Sequence, residues 1–140
     1  MSAYIKDEWM IVNNHREMRF IQGIIRNKKD MLLTPEFLCE LQRIVTTDTL
    51  KDEHQSGTFR TTDDVAVVEG RSGKVVHYPP KSAELPALIQ AVCDLANRDR
   101  KNSPADSFVH PIIVGIALHF LIGYIHPFYD GNGRTARTLF

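Results

Sequence analysis

The sequence predicts an all-α fold, a helical bundle carrying one small β-hairpin. Apolar residues recur at three- and four-residue spacing over most of the chain, which is the helical period. The period changes only in the middle, where two short β-prone runs flank a turn-forming stretch. The 140 residues are 43% hydrophobic and 24% charged, enough apolar material to close one core and too little net polarity for disorder.

The first helix is expected in the N-terminal third, with Met18, Ile21, Ile24 and Ile25 on its buried face and Arg16, Glu17 and Arg19 elsewhere. A second helix has explicit start signals. Thr34 can cap, Pro35 suits the first turn, and Glu36 suits the positive end of the dipole. Its stripe is Phe37, Leu38, Leu41, Ile44 and Val45, and the polar stretch from Asp48 to Gly57 reads as a loop. The hairpin pairs Val65 to Val68 with Lys74 to Tyr78 across the turn Glu69 to Gly73. Pro79-Pro80 closes it, because proline cannot extend a ladder. Leu85, Leu88, Ile89, Val92, Leu95 and Ala96 restore the helical period, followed by a charged linker from Asn97 to Asp106. A last apolar helix runs from Pro111 to Ile125, led in by His110 and stopped by Pro127.

Bulk properties narrow the function classes. A formal net charge of zero gives no global field for nucleic acid or an anionic membrane. The longest apolar run, Ile112 to Ile125, is shorter than the ~20 residues a spanning helix needs, and His119 interrupts it. No nucleic-acid or membrane partner is therefore expected. Lys6, Asp7 and Glu8 argue against a signal peptide, and Cys39 and Cys93 lie in apolar stretches as buried thiols. A reducing, cytoplasmic location follows as the expectation.

The chemistry is concentrated in twelve consecutive residues, His126-Pro127-Phe128-Tyr129-Asp130-Gly131-Asn132-Gly133-Arg134-Thr135-Ala136-Arg137. An imidazole can take a proton near neutral pH. A carboxylate is a hard ligand suited to Mg²⁺. Gly131-Asn132-Gly133 can turn its amides inward as an anion nest, and a helix opening at Arg134 adds unpaired N–H groups and a positive dipole end. Arg134 and Arg137, three apart, can reach different phosphates. Phe128 is expected to plug the core beneath this loop. Elsewhere the bland readings prevail. His119 is a hydrogen-bonded core residue; His15, His54, His77 and His110 are surface or helix-end residues. Gly70-Arg71-Ser72-Gly73-Lys74 lacks phosphate-loop spacing and is a hairpin turn. Arg60 reads equally as a site residue or an ion-pair partner.

This run resembles the signature HPFx(D/E)GNGRxxR of the Fic (Fido) family, with every fixed position filled and Tyr129 at the free one. The resemblance implies the Fic fold, in which helices flank the motif loop and the hairpin is a flap over the active site. It implies a protein adenylyltransferase using ATP and Mg²⁺. His126 would deprotonate a target Ser, Thr or Tyr hydroxyl, and Asp130 would hold Mg²⁺. Asn132 and the amides of Gly131 and Gly133 would hold the α- and β-phosphates, Arg134 the β-phosphate and Arg137 the γ-phosphate. The target protein would dock on the flap by β-augmentation, at Val65, Ala66, Val67 and Val68 or at Val75 to Tyr78. Kinase-like relatives alter GNGR, which this chain keeps; a kinase, another phosphotransferase or a non-catalytic nucleotide-binding module are the alternatives. The chain stops three residues after Arg137, so a single Fic domain over 1–140, cut short at its C-terminal end, is expected. Many relatives carry an inhibitory (S/T)xxxE(G/N) helix. The one Glu followed by Gly or Asn is Glu69, and Val65 precedes it by four. Any such brake, or an antitoxin, is expected outside the chain; a Glu bonded to Arg137 would overturn that expectation.

Overall fold

The computed structural model describes residues 3–27, 31–98 and 108–140. Among them are five helices: α1 (Ala3–Asn27), α2 (Pro35–Thr46), α3 (Leu85–Asn97), α4 (Pro111–Ile125) and α5 (Asn132–Leu139). One two-stranded antiparallel hairpin, β1 (Val67–Val68) and β2 (Val75–His77), lies between α2 and α3. Single 3₁₀ turns at Glu53–Gln55 and Ser82–Glu84 punctuate the connections. The helical bundle with its hairpin is as the sequence predicts.

The core forms where α2, α3, α4 and α5 meet, around Leu38, Ile89, Val92, Ile122 and Phe128. Phe128 is fully buried and stacks on Phe59 with ring centroids 5.1 Å apart, so the residue expected to plug the core does so. α2 begins as predicted: the Thr34 side chain accepts from Phe37 N at 3.2 Å, with Pro35 in the first turn. His110 caps α4 in the same way, accepting from Ile112 N at 3.3 Å.

Several expectations are corrected. The inward face of α1 is polar at its centre: Asn13 and Glu17 are buried, whereas Met18 and Ile25 are 56% and 64% exposed. Of the predicted stripe, Ile21 and Ile24 are half-buried. The face is set by what α1 meets, and polar partners on α2 and α5 select Asn13 and Glu17. The Asn13 amide donates to Thr47 O at 2.6 Å, and the Thr138 hydroxyl donates to Glu17.

Asn97 is not a linker residue. It ends α3 and is buried, exchanging two 2.8 Å hydrogen bonds with the backbone of Leu33. Arg98 follows as the helix C-cap, and the rest of the predicted linker, from 99 to 106, lies outside the described residues.

The hairpin is shorter than its β-prone runs. The register Val67↔His77 would set Val65 opposite Pro79, which has no N–H to offer, so Val65 and Ala66 lie outside β1. The turn from Glu69 to Gly73 forms as expected, with Glu69 N donating to Lys74 O at 2.8 Å and Gly73 at φ +68°.

His119 does bond, its Nδ1 lying 3.1 Å from Ala136 O, but on an exposed face rather than in the core. Both cysteines are free. Burial, then the charge of Glu36, raises the Cys39 thiol to about 11, which keeps it protonated and unreactive.

Phe128→Ala is expected to cost ~3–5 kcal/mol, because the site cannot collapse around a lost ring. Urea titration followed by circular dichroism measures it.

Candidate functional site

The site is organised by the C-terminal end of α4. A helix leaves its last four carbonyls without intrahelical donors. Here the next residue, His126, precedes a proline, which disfavours continued helix. His126 instead adopts φ +49°, ψ +59°, the left-handed region. For a non-glycine residue this costs ~1–3 kcal/mol and persists only where the surroundings enforce it.

The surroundings do enforce it. Ile122 O accepts from His126 N at 3.0 Å, and Gly123 O faces His126 Nδ1 at 3.4 Å. Tyr124 O faces His77 Nε2 at 2.7 Å. Ile125 O accepts from Arg60 Nη2 at 3.4 Å, and His126 O accepts from Arg60 Nε at 2.9 Å. The Arg60 backbone N–H donates to Pro127 O at 2.8 Å. Arg60 is only 3% exposed, and its guanidinium also donates to Thr62 O and Pro80 O. The question left open for Arg60 is thereby answered: it is a buried clamp joining the helix end to the base of the hairpin. Its pairing with Asp63, at 3.5 Å, is peripheral.

A carbonyl can only accept, so Nδ1 of His126 carries the proton in its bond to Gly123 and Nε2 keeps its lone pair. Burial is the largest influence on this imidazole and lowers its pKa from 6.5; the charges of Arg60 and His77 act the same way, opposed by the Gly123 bond and by Asp130. The ring is therefore neutral, and able to accept a proton, at physiological pH.

The loop after His126 is tied from within. Asn132 is 2% exposed; its Oδ1 accepts from Phe128 N at 2.9 Å and its Nδ2 donates to Phe128 O at 2.8 Å. The Asn132 side chain thus closes the loop, and what it can offer an anion is its backbone amide. Gln42, buried on α2, donates to Asp130 O at 3.1 Å and accepts from Gly57 N at 2.5 Å. Gly131 sits at φ +85°, and a Cβ there would come within 2.6 Å of Thr46 Cγ2.

α5 starts at Asn132, two residues earlier than Arg134, so Gly131-Asn132-Gly133 is the cap and first turn of a helix rather than a separate nest. Among the described residues, no protein group accepts from the amides of Asn132, Gly133 or Arg134. Those unpaired N–H groups and the dipole end open into a cavity of about 460 Å³. The same cavity is lined by His126, Tyr129, Asp130, Arg134 and Arg137, and across from them by Lys6, Asp7 and Met10 of α1.

The charged side chains differ in freedom. Arg134 is partly committed: Nη1 donates to Val45 O, and Nη2 lies 3.5 Å from Asp130 Oδ1. Arg137 is exposed, and among the described residues no hydrogen bond or ion pair holds its side chain, so its guanidinium remains available. Asp130 accepts from Gly131 N at 2.6 Å through Oδ1, which leaves Oδ2 without a protein partner. No cluster of three or more His, Cys, Asp or Glu capable of caging a metal occurs among the described residues. One free carboxylate oxygen beside an anion cradle suits Mg²⁺, which takes one or two carboxylates and completes its shell with phosphate oxygens and water.

Several residues of the site escaped the sequence reading, among them Lys6, Asp7 and Met10 of the cavity wall, and Gln42 and Glu17. Gln42 keeps helical spacing with Leu38 and Val45, a signal that marked its position but not its polar role. Glu17 is buried beneath α5. Desolvation raises its carboxyl above the usual range, offset by the Thr138 bond and by the charges of Arg134 and Arg137. Among the described residues no carboxylate pairs directly with Arg137. Glu17 nevertheless places a carboxylate in the field of both arginines. Asn13 and Met18 stand where the inhibitory pattern has Ser or Thr and Gly or Asn, so the pattern passes over it.

The flap residues divide. Val67 and Val68 belong to β1, with Val68 51% exposed; Val65 and Ala66 precede it. In β2, Val76 is 62% exposed, while Val75 and His77 turn toward the body.

A family model described as the Fic/DOC family matches residues 32–140. Protein adenylyltransferase Fic of Drosophila grimshawi is 32% identical over 122 residues, 87% of this chain and 22% of that protein. Its counterpart in Culex quinquefasciatus is 30% identical over 122 residues, 87% of this chain and 21% of that protein. The chain thus spans about a fifth of the length of these curated relatives. A Fic domain containing signaling protein from Bacteroides thetaiotaomicron superposes with a TM-score of 0.78 at 25% identity, over 99% of this chain and 48% of that one. Fic-1 from C. elegans superposes at 0.68, with 22% identity over 96% of this chain and 35% of that one, a likeness of fold.

The two cradle glycines should respond differently to Ala. Gly131→Ala must adopt a positive φ and displace Thr46, so it destabilises the fold in a thermal melt. A Cβ on Gly133 meets nothing nearer than Arg137 Nη1 at 3.8 Å, so Gly133→Ala should retain the melting temperature.

Proposed function

The chain belongs to the Fic/DOC family, and on that footing we propose that it transfers AMP from ATP to a hydroxyl side chain of a target protein. The observation that carries this reading is a neutral imidazole with a free Nε2 and a helix-start anion cradle lining one cavity. A nucleotide triphosphate seated on the amides of Asn132, Gly133 and Arg134 would bring its phosphates to Arg134 and Arg137.

His126 takes the proton from the incoming Ser, Thr or Tyr hydroxyl. The oxygen bonds to the α-phosphorus as the bond to the bridging oxygen breaks, and pyrophosphate leaves. The general-base step is worth on the order of 10²–10⁴-fold, with positioning and charge neutralisation carrying the remainder. Asp130 would hold Mg²⁺, whose charge offsets that of the phosphates. Tyr129 braces the loop, its hydroxyl accepting from Thr61 N at 3.0 Å. The hairpin, with Val68 and Val76 exposed along it, supports docking of the target segment as an added strand.

Incubation with α-³²P-ATP and Mg²⁺ should label protein, and His126→Ala should abolish the label. Label from γ-³²P-ATP instead would indicate phosphorylation, and nucleotide binding without transfer a binding module. Because the His126 pKa is lowered, kcat/KM should be flat through neutral pH and fall in acid with a midpoint below 6.5. Glu17→Gln removes a negative charge opposed to the phosphates. It should tighten Mg–ATP binding by roughly two- to fivefold, the scale of a partly screened charge pair, in calorimetry.

A further inference from the structure

The hairpin is too small to hold itself. Its strands have two and three residues, and an isolated two-stranded hairpin is marginally stable at best. No helix packs extensively against it. Among the described residues, one hydrogen bond joins residues 67–77 to a helix, and it comes from His77.

That contact is specific in three ways. Strand alternation turns Val75 and His77 toward the body while Val76 and Tyr78 face outward, 62% and 76% exposed. His77 Nε2 reaches Tyr124 O at 2.7 Å; the carbonyl accepts, so the imidazole is held as the Nε2–H tautomer. Its ring lies over the Tyr124 ring with centroids 4.7 Å apart at 33°. His77 is also the ladder partner of Val67, so fixing it fixes both strands.

The anchor point matters more than the bond. Tyr124 O is one of the terminal carbonyls of α4, and Tyr124 stands two residues before His126. The hairpin is thus fastened to the helix end that holds the imidazole. We propose that His77 is a positioning residue: by donating to the Tyr124 carbonyl it sets the separation between the flap's outer edge and His126 Nε2, and so the place of the target hydroxyl. This rests on the transfer reading above. His77 touches neither nucleotide nor target; it acts through the strand it carries. The bland reading of His77 as a surface residue does not account for a 2.7 Å bond to an otherwise orphaned carbonyl.

Two substitutions separate the tether from bulk. His77→Phe keeps a ring over Tyr124 and loses the donor; His77→Gln loses the ring and keeps a donor near the Nε2 position. Hydrogen exchange of the free protein, read at the Glu69 amide that donates to Lys74 O, should quicken about three- to tenfold in His77→Phe, the equivalent of one lost hydrogen bond, and recover in His77→Gln. Mg–ATP affinity by calorimetry should be unchanged in both. The initial rate of α-³²P label transfer to a mixture of Thr-containing peptides at saturating ATP should fall in His77→Phe and recover in His77→Gln. Unchanged hairpin exchange in His77→Phe overturns the tether. Quickened exchange with an unaltered transfer rate, or a parallel loss of ATP affinity, overturns the positioning role. Absence of label transfer by the unaltered protein overturns the transfer reading, while the exchange comparison still decides the tether.

Discussion

The carbonyl-rich end of α4 is the constraint on which the rest of the molecule depends. Pro127 prevents the helix from continuing, and a left-handed His126 leaves a cluster of acceptors pointing out of the helix end. Buried acceptors without donors would be costly. Arg60 meets this demand from one side with its backbone and guanidinium, and His77 meets it from another. Chain segments far apart in sequence are drawn to one point because their donors are needed there. The imidazole is held in a strained geometry because so many bonds agree on it.

The cradle is rigid for a complementary reason. The side chains that could have reached for a ligand are spent on the loop itself: Asn132 on the Phe128 backbone, Gln42 on Asp130 and Gly57, Arg134 partly on Val45. What remains unpaired is the set of backbone amides at the start of α5, with Asp130 Oδ2 and Arg137 beside them. An anion-binding surface made of fixed dipoles needs little reorganisation when charge arrives. The polar inner face of α1 belongs to the same arrangement, for Glu17 beneath α5 tempers a strongly positive neighbourhood.

The helices flanking this centre were legible because their signals are local. Thr34 with Pro35 starts α2, Pro127 ends α4, and Phe128 fills the core as an aromatic at a loop base should. The misread residues were those whose environment is made by distant chain. α1 is apolar on several sides, and only contact with α2 and α5 shows that Asn13 and Glu17 face inward. Asn97 looks like a linker residue until Leu33 stands beside it. Val65 and Ala66 have strand propensity, but the register adopted would set Val65 against Pro79, and the ladder stops before them.

By itself the sequence determined the element order, the start of α2, the end of α4 and the contiguous run from His126 to Arg137, since capping, proline geometry and side-chain chemistry act within a few residues. Tertiary structure decided which groups of that run remain free. Hydrogen bonds from Arg60, His77, Gln42 and Thr138 cross 47 to 121 positions of sequence, and no local rule foretells which carbonyl or carboxylate each will find. It is those long-range donors that leave Nε2 of His126 and the first amides of α5 unpaired in a common cavity.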